Sequence, residues 1–300
     1  MNFQWYPGHM TKAKRMMQED IKLVDLVIEL LDARIPLSSR NPDINTLAAN
    51  KSRMIILNKA DLADASINQK WKKYFESQGY YVTMMDARKR NGMGEVTQGV
   101  LKVCEKKFER DRKRGIKNRP VRAMIAGIPN VGKSTFINSY AKKACARTGN
   151  KPGVTKGKQW IKLNKNVELL DTPGILWPKF EDQMVGLRLA MIGSIKDDIL
   201  NMEELSMELA RYLLDCYPGV LKERYEISEN EILSSFGSAG SESERSRILY
   251  DVLSQVAVKR NCLVKGGEPD AGKAAAILME EFRSGALGKI SLEAPEEKTE

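Results

Sequence analysis

The sequence predicts an α/β fold, a mostly parallel sheet flanked by helices, followed by a smaller all-α domain. Three observations carry that expectation. Short apolar runs alternate with helical stretches over residues 1–177, the pattern of parallel βα units. A G-x-x-x-x-G-K-S segment separates one such run from the helix after it. Past Trp177-Pro178 helical patterns dominate.

The elements follow in order. Residues 8–22 read as a basic helix, and Leu23–Leu31 as an apolar strand ending at Asp32-Ala33-Arg34. Met54–Leu57 is a second apolar run, followed by Asn58-Lys59-Ala60-Asp61. Ser66–Gln78 is helical in pattern and stops at Gly79. Tyr80–Met85, aromatic and β-branched, reads as a strand, and Gly94–Arg110 as a helix. Residues 110–119 are strongly basic without apolar periodicity, so they read as a linker or a solvated helix end. Val121–Ala126 is a further strand and Lys133–Lys143 a helix. Gln159–Leu163 and Val167–Leu170, either side of Asn164–Asn166, predict a hairpin. Helices are expected over Glu203–Cys216, Glu242–Lys259 and Asp270–Ser284. The expected domains are therefore 1–177 and 178–293, with an acidic tail at 294–300.

Composition excludes several classes. Hydrophobic residues at 42% and charged residues at 29% are globular values, not those of a disordered chain. The longest apolar stretch, Leu23–Ala33, is broken by Asp25, Glu29 and Asp32. Nothing approaches the roughly 20 apolar residues of a membrane span. The opening residues lack the basic-then-apolar order of a secretory signal. Four scattered cysteines and one histidine do not make a zinc finger or a disulfide scaffold, and they fit a reducing cytoplasm.

Charge is uneven. Residues 1–177 hold 34 Lys and Arg against 16 Asp and Glu, or +18; residues 178–300 hold 15 against 23, or −8. A basic half of that size suits a polyanion, and nucleic acid is the abundant one in a cytoplasm. The plain alternative is a lysine-rich surface that only keeps the chain soluble.

Gly127-Ile128-Pro129-Asn130-Val131-Gly132-Lys133-Ser134 follows a strand and opens a helix, the setting of a phosphate loop. Backbone N–H groups of Asn130, Val131, Gly132, Lys133, Ser134 and Thr135 are then placed to wrap phosphate at a helix N-terminus. Lys133 is expected to bridge the β- and γ-phosphates and Ser134 to ligate Mg²⁺. Asp171-Thr172-Pro173-Gly174 ends a strand; Asp171 is expected to hold Mg²⁺ through water, and the Gly174 N–H to sense the γ-phosphate. Thr155, between that strand and the phosphate loop, is a further Mg²⁺ candidate. Asn58-Lys59-Ala60-Asp61 supplies a base reader: the Asp61 carboxylate accepts from guanine N1 and N2, a donor pair adenine lacks. GTP and GDP are thus the expected nucleotides.

The guanine motif precedes the phosphate loop by about 70 residues, the reverse of the order in Ras-like GTPases. With that order the chain resembles the circularly permuted GTPases of ribosome biogenesis typified by RbgA (YlqF). The resemblance runs from the first residues to about Glu293. It includes Trp5-Tyr6-Pro7-Gly8-His9-Met10, Asp32-Ala33-Arg34-Ile35-Pro36, Arg40-Asn41-Pro42, Gly266-Gly267, Asp270, Phe282-Arg283-Ser284-Gly285 and Leu287-Gly288. The fifth guanine motif, usually Ser-Ala, stands here as Asp86-Ala87, with the Ala87 N–H set against guanine O6.

The resemblance implies a permuted GTPase domain, a helical RNA-binding domain and a GTP-hydrolysing assembly factor. That factor binds rRNA and the large-subunit precursor (pre-50S) and leaves after hydrolysis. The alternative is a GTP-gated RNA-binding module or RNA chaperone with incidental hydrolysis. A small-molecule phosphotransferase is disfavoured by the base reader. The chain is expected to act as a cytoplasmic monomer away from membranes. In the helical domain, a basic face at Lys259, Arg260 and Lys265 would be needed for RNA.

Ile175 follows the Asp171–Gly174 motif, where a Ras-like enzyme places a water-orienting Gln. Intrinsic hydrolysis is therefore expected to be slow. His9, the only histidine, is one candidate to position water when the partner binds; contact with RNA or local packing is the other reading. Asn130 has two readings as well: a ligand for K⁺ beside the β- and γ-phosphates, or a cap on the loop backbone.

Overall fold

The computed structural model describes residues 8–116, 119–141, 159–163, 165–171 and 182–296, with the side chains of 8–14, 159 and 171 outside that description. Two compact units divide the chain, one of residues 186–292 and one of residues 2–185 with 293–300. The boundary expected at Trp177-Pro178 lies outside the described residues. Glu293, expected to close the helical domain, groups with the first unit, where its carboxylate accepts the Leu37 and Ser38 amides.

In the first unit, α1 (Gly8–Lys22) leads to β1 (Leu26–Asp32), α2 (Asp43–Leu47), β2 (Ser52–Asn58), α3 (Ala65–Ser77) and β3 (Tyr81–Met85). Then come α4 (Met93–Val103), α5 (Glu105–Lys113), β4 (Val121–Ala126), α6 (Lys133–Ala141) and the hairpin of β5 (Gln159–Lys162) and β6 (Val167–Asp171). Strand order is β3-β2-β1-β4-β6-β5, parallel throughout except that β5 runs antiparallel to β6.

The expected elements are present with adjusted ends. The first strand starts at Leu26 because Leu23 and Val24 still donate to Asp20 and Ile21 carbonyls at the end of α1. The helix expected over 94–110 is two helices that meet at Cys104. The linker reading of 110–119 gives way up to Lys113, where α5 persists; Lys107 and Asp111, one turn apart, pair at 2.9 Å.

Every β1 side chain is buried, as a central parallel strand requires. Trp71 and Phe75 of α3 pack with Leu31, Ile55, Leu57 and Val82; Met17 and Ile21 of α1 pack with Val27, Met124 and Leu170. Each such side chain stabilises by about 1.5–3 kcal/mol.

Glu29 stands on the same face of β1 as Val27 and Leu31 and is 2% exposed. An ionised carboxylate there needs partners. It accepts from Arg40 Nε at 2.7 Å and from Arg53 Nε at 3.0 Å. Both guanidiniums also lie over the Tyr80 ring, at 4.8 and 5.1 Å from its centroid.

The second unit is helical: α7 (Gln183–Met191) enters it, and α8 (Met202–Cys216), α9 (Val220–Tyr225), α10 (Glu229–Ser238), α11 (Glu242–Lys259) and α12 (Ala271–Ser284) follow. Leu205, Leu209 and Leu213 of α8, Leu249, Val252 and Val256 of α11, and Ala275, Leu278 and Phe282 of α12 are buried at helical spacing. Of the residues expected to form a basic face, Lys259 pairs with Glu226 and is still 38% exposed, and Arg260 pairs with Glu281. Among the described residues, no helix is long and apolar enough to cross a membrane.

Glu29→Ala would strand two guanidiniums with little access to water. A loss of about 3 kcal/mol or more is expected, read as a lower urea midpoint at unchanged slope.

Candidate functional site

The site lies at the C-terminal ends of the parallel strands, where their order reverses between β1 and β4. β4 runs out at Ala126 and α6 begins at Lys133. Asn130 and Gly132 between them hold φ of 58° and 99°, in the left-handed region. A Cβ on Gly127 would come within 2.7 Å of the Leu30 carbonyl oxygen, and one on Gly132 would collide with the Asn58 amide. Neighbouring chain therefore demands both motif glycines, and φ demands the second again.

Lys133 is 7% exposed, and its ammonium donates to the Gly127 and Ile128 carbonyls at 2.9 and 2.8 Å. The cation is pinned across the loop it belongs to. Helix α6 adds the partial positive charge of its N-terminus, with Ser134 and Thr135 in its first turn. Together these form an anion site that suits a polyphosphate.

Asn58 ends β2 and is 2% exposed. Its Nδ2 donates to the Val131 carbonyl at 2.8 Å, and its Oδ1 accepts the Ala87 N–H at 3.1 Å. One side chain thus joins the loops after β2, β3 and β4. The Ala60 N–H donates to the Met85 carbonyl at 3.1 Å, and Asn68 Nδ2 donates to the Ala60 carbonyl at 3.1 Å. Asp61 Oδ1 is buried and accepts no hydrogen bond among the described residues. A buried acceptor left without a donor is costly.

Lys59 takes φ 58° and sends its ammonium to Asp32 Oδ2 at 2.9 Å. Asp32 is fully buried. Arg34 grips it as a fork, Nε to Oδ1 and Nη2 to Oδ2, both at 2.9 Å. Burial by itself raises the Asp32 pKa; the Arg34 and Lys59 cations outweigh it and hold the carboxyl well below the ordinary carboxylate range.

The structure therefore brings Asn58, Lys59, Asp61, Asp86, Ala87, Asn130, Val131, Gly132, Lys133, Ser134 and Thr135 to strand ends on one edge of the sheet. The Ala87 N–H, expected against guanine O6, donates to Asn58 Oδ1 in this structure. Asp86 braces the same turn, accepting the Arg88 N–H at 2.9 Å. Asp171 ends β6, with its side chain outside the described residues. His9 lies in the first turn of α1, and its side chain too is outside them. Thr155 and Gly174 lie outside the described residues altogether. Ser139 was not anticipated: its hydroxyl donates to the Ala87 carbonyl at 2.6 Å, tying α6 to the loop after β3. In the sequence Asp32 and Arg34 stand only at the end of a strand and within the stretch the family resemblance covers, and no spacing rule gives them a role.

Comparison with known proteins agrees with this geometry. A family model described as 50S ribosome-binding GTPase matches residues 122–239. Ribosome biogenesis GTPase A of Bacillus cereus is 46% identical over 299 residues, covering 99% of this chain and 95% of that protein. The chain belongs to the ribosome biogenesis GTPase A family. A Thermotoga maritima member is 33% identical, covering 98% of this chain and 95% of its own. Mouse mitochondrial ribosome-associated GTPase 1 is 32% identical, covering 97% and 90%. Among solved structures, a GDP-bound YlqF matches with TM-score 0.63 at 26% identity, covering 94% of this chain and all of that one. The GNP-bound YlqF of Thermotoga maritima matches at 0.61 and 28%, covering 95% and 99%. The permuted α/β GTPase fold and the helical C-terminal part expected from the sequence are those of this family.

Three outcomes are expected. Gly132→Ala should weaken GDP binding by about a hundredfold, through left-handed strain and collision with Asn58; fluorescent-GDP titration reads it. Asp61→Asn should lose guanine by a factor of about 100 or more and gain xanthosine diphosphate, whose C2 carbonyl accepts from the new amide. The third concerns pH. Asp32 binds its proton less readily folded than unfolded, so its contribution is complete above about pH 4 and fades as pH falls below that. Asp32→Asn should lower stability at neutral pH and flatten the acid limb of the stability–pH curve.

Proposed function

We propose that the chain hydrolyses GTP to GDP and phosphate at this site and acts as an assembly factor for the large ribosomal subunit. The observation that carries the first part is the Asn58 bridge beside the unbonded Asp61 oxygen. Base reader and phosphate loop are locked together, and the reader has an unmet need for guanine donors. Family membership carries the second part.

In this reading Asn58, Lys59 and Asp61 hold the base, with Asp86 and Ala87 bracing the neighbouring loop. Backbone amides from Asn130 to Thr135 hold the phosphates. Water attacks the γ-phosphorus, and the bridging oxygen departs with the electron pair on GDP. Lys133 and the α6 N-terminus offset the charge that gathers on that oxygen. Ser134 and Thr155, with Asp171 through water, are the proposed Mg²⁺ ligands, and Gly174 the γ-phosphate sensor. Mg²⁺, when bound, neutralises phosphate charge. The fit rests on a helix that opens with Lys133 and Ser134 directly after the loop.

No side chain of the Ras type follows the Asp171–Gly174 motif, so water must be oriented by another group. His9, brought in by the particle, is the proposed one. Asn130 is proposed to help hold K⁺ beside the phosphates, supported by its place at the apex of the loop in a left-handed conformation. The partner is pre-50S rRNA, supported by the +18 charge of residues 1–177, with the helical domain of 178–293 as a second contact. The protein is proposed to work as a cytoplasmic monomer. A GTP-gated RNA-binding module is the alternative, and turnover separates the two.

GTP hydrolysis in K⁺ buffer should be slow alone, strongly stimulated by large subunits and unmoved by small ones. Equal slow rates in all three would favour the RNA-binding module. His9→Ala should abolish the stimulation and leave GDP affinity intact. Exchanging K⁺ for Na⁺ should slow hydrolysis, and an unchanged rate would remove K⁺ from the mechanism.

A further inference from the structure

Glu293 comes after the last helix, yet it belongs to the unit that carries the nucleotide site. It is only 7% exposed. Its Oε1 accepts the N–H groups of Leu37 and Ser38, the second at 3.0 Å, and its Oε2 accepts the Ser38 hydroxyl. Its backbone carbonyl accepts the Trp71 indole N–H at 3.1 Å. A carboxylate on two successive amides of a turn does the work of an N-cap, here supplied from 255 residues away.

What Glu293 caps matters. The turn closes with Ser39 N–H on the Ile35 carbonyl at 2.8 Å, while Ser39 Oγ accepts the Asp32 N–H at 3.1 Å. Asp32 in turn holds Lys59 of the guanine reader at 2.9 Å. β1 and β2 pair Asp32 with Asn58, and the Ala33 N–H donates to the Asn58 carbonyl at 2.8 Å. On the other flank, Trp71 stands on α3, which leaves the reader and holds the Ala60 carbonyl through Asn68. The loop that reads guanine lies between these two segments. A single residue fastens both.

We propose that Glu293 is a positioning residue for guanine recognition: by capping the turn at residues 36–39 and anchoring Trp71, it fixes Lys59 and Asp61 where they select the base. The proposal rests on the base-reading role given above to Asn58, Lys59 and Asp61. Removal of the carboxylate frees the turn, and Asp32 and Lys59 lose their fixed register. The effect falls first on base selection; the phosphate loop, though joined to the reader through Asn58, keeps its own Lys133 bonds to the Gly127 and Ile128 carbonyls.

The test uses the full chain and measures affinities for GDP and for inosine diphosphate, which lacks the N2 amino group. Wild type should prefer GDP clearly. Glu293→Ala should weaken GDP by about tenfold or more and shrink the GDP-to-IDP preference. Glu293→Gln, which keeps an acceptor oxygen for the two amides, should restore most of that preference. Glu296→Ala, at an exposed position, should change nothing. If Glu293→Ala does not fold, the Ser38→Ala/Trp71→Phe double variant replaces it and should shrink the preference likewise. A folded Glu293→Ala or double variant that keeps the wild-type preference overturns the proposal, even if its melting point falls. A wild type with no preference for GDP overturns the base-reading role itself, and the proposal with it.

Discussion

A carboxylate buried at the end of β1 has to be neutralised where it stands, and the neighbouring guanine loop supplies part of what neutralises it. Asp32 is fully buried. In a low-dielectric interior its charge survives only beside opposite charge. Arg34 folds back onto it as a fork, and Lys59 reaches it from the next strand. Those bonds give the segment after β1 its shape and tie it to the loop after β2. Lys59 adopts a left-handed backbone within that arrangement. The turn beyond Asp32 then presents the amides that Glu293 caps. A stabilising requirement of the core is thus also a geometric condition on the nucleotide site.

The permuted chain order still brings the guanine motif and the phosphate loop together, for a reason visible in the sheet. β2 and β4 deliver their loops to the same edge of the sheet because both run parallel to β1. Asn58 reaches Val131 across 73 residues of sequence, yet the bond is an ordinary 2.8 Å. What the order changes is which segments adjoin in the chain. The Asp171–Gly174 motif is followed in sequence by the helical domain.

Much of the site was legible. The phosphate loop is recognisable because backbone wrapped around phosphate requires glycine at set places, and Gly127 and Gly132 meet that need by contact and by φ. The proposed reader is recognisable because Asn58-Lys59-Ala60-Asp61 directly follows a strand, and Asp61 Oδ1 accepts no hydrogen bond among the described residues. Other features were not legible. Glu29 reads as an interruption of an apolar strand until Arg40 and Arg53 are seen to converge on it. The carboxylate partners of Lys259 and Arg260, Glu226 and Glu281, are not visible in the sequence either. The bond from the Ala87 N–H to Asn58 is likewise invisible in the sequence.

The sequence by itself determined the parallel α/β class, and its short motifs pointed to a guanine nucleotide and to the residues proposed to bind it. Those follow from local periodicity and from short motifs whose chemistry is carried by adjacent residues. Only the tertiary structure decided which charges are buried in pairs, which amide is already used, and that Glu293 closes onto the turn beside the guanine loop. Those depend on partners brought together by strand order and helix packing, 11 residues apart for Glu29 and Arg40 and 255 for Ser38 and Glu293. No local pattern encodes a partner at such distances, because the burial that makes it necessary exists only once the chain has folded.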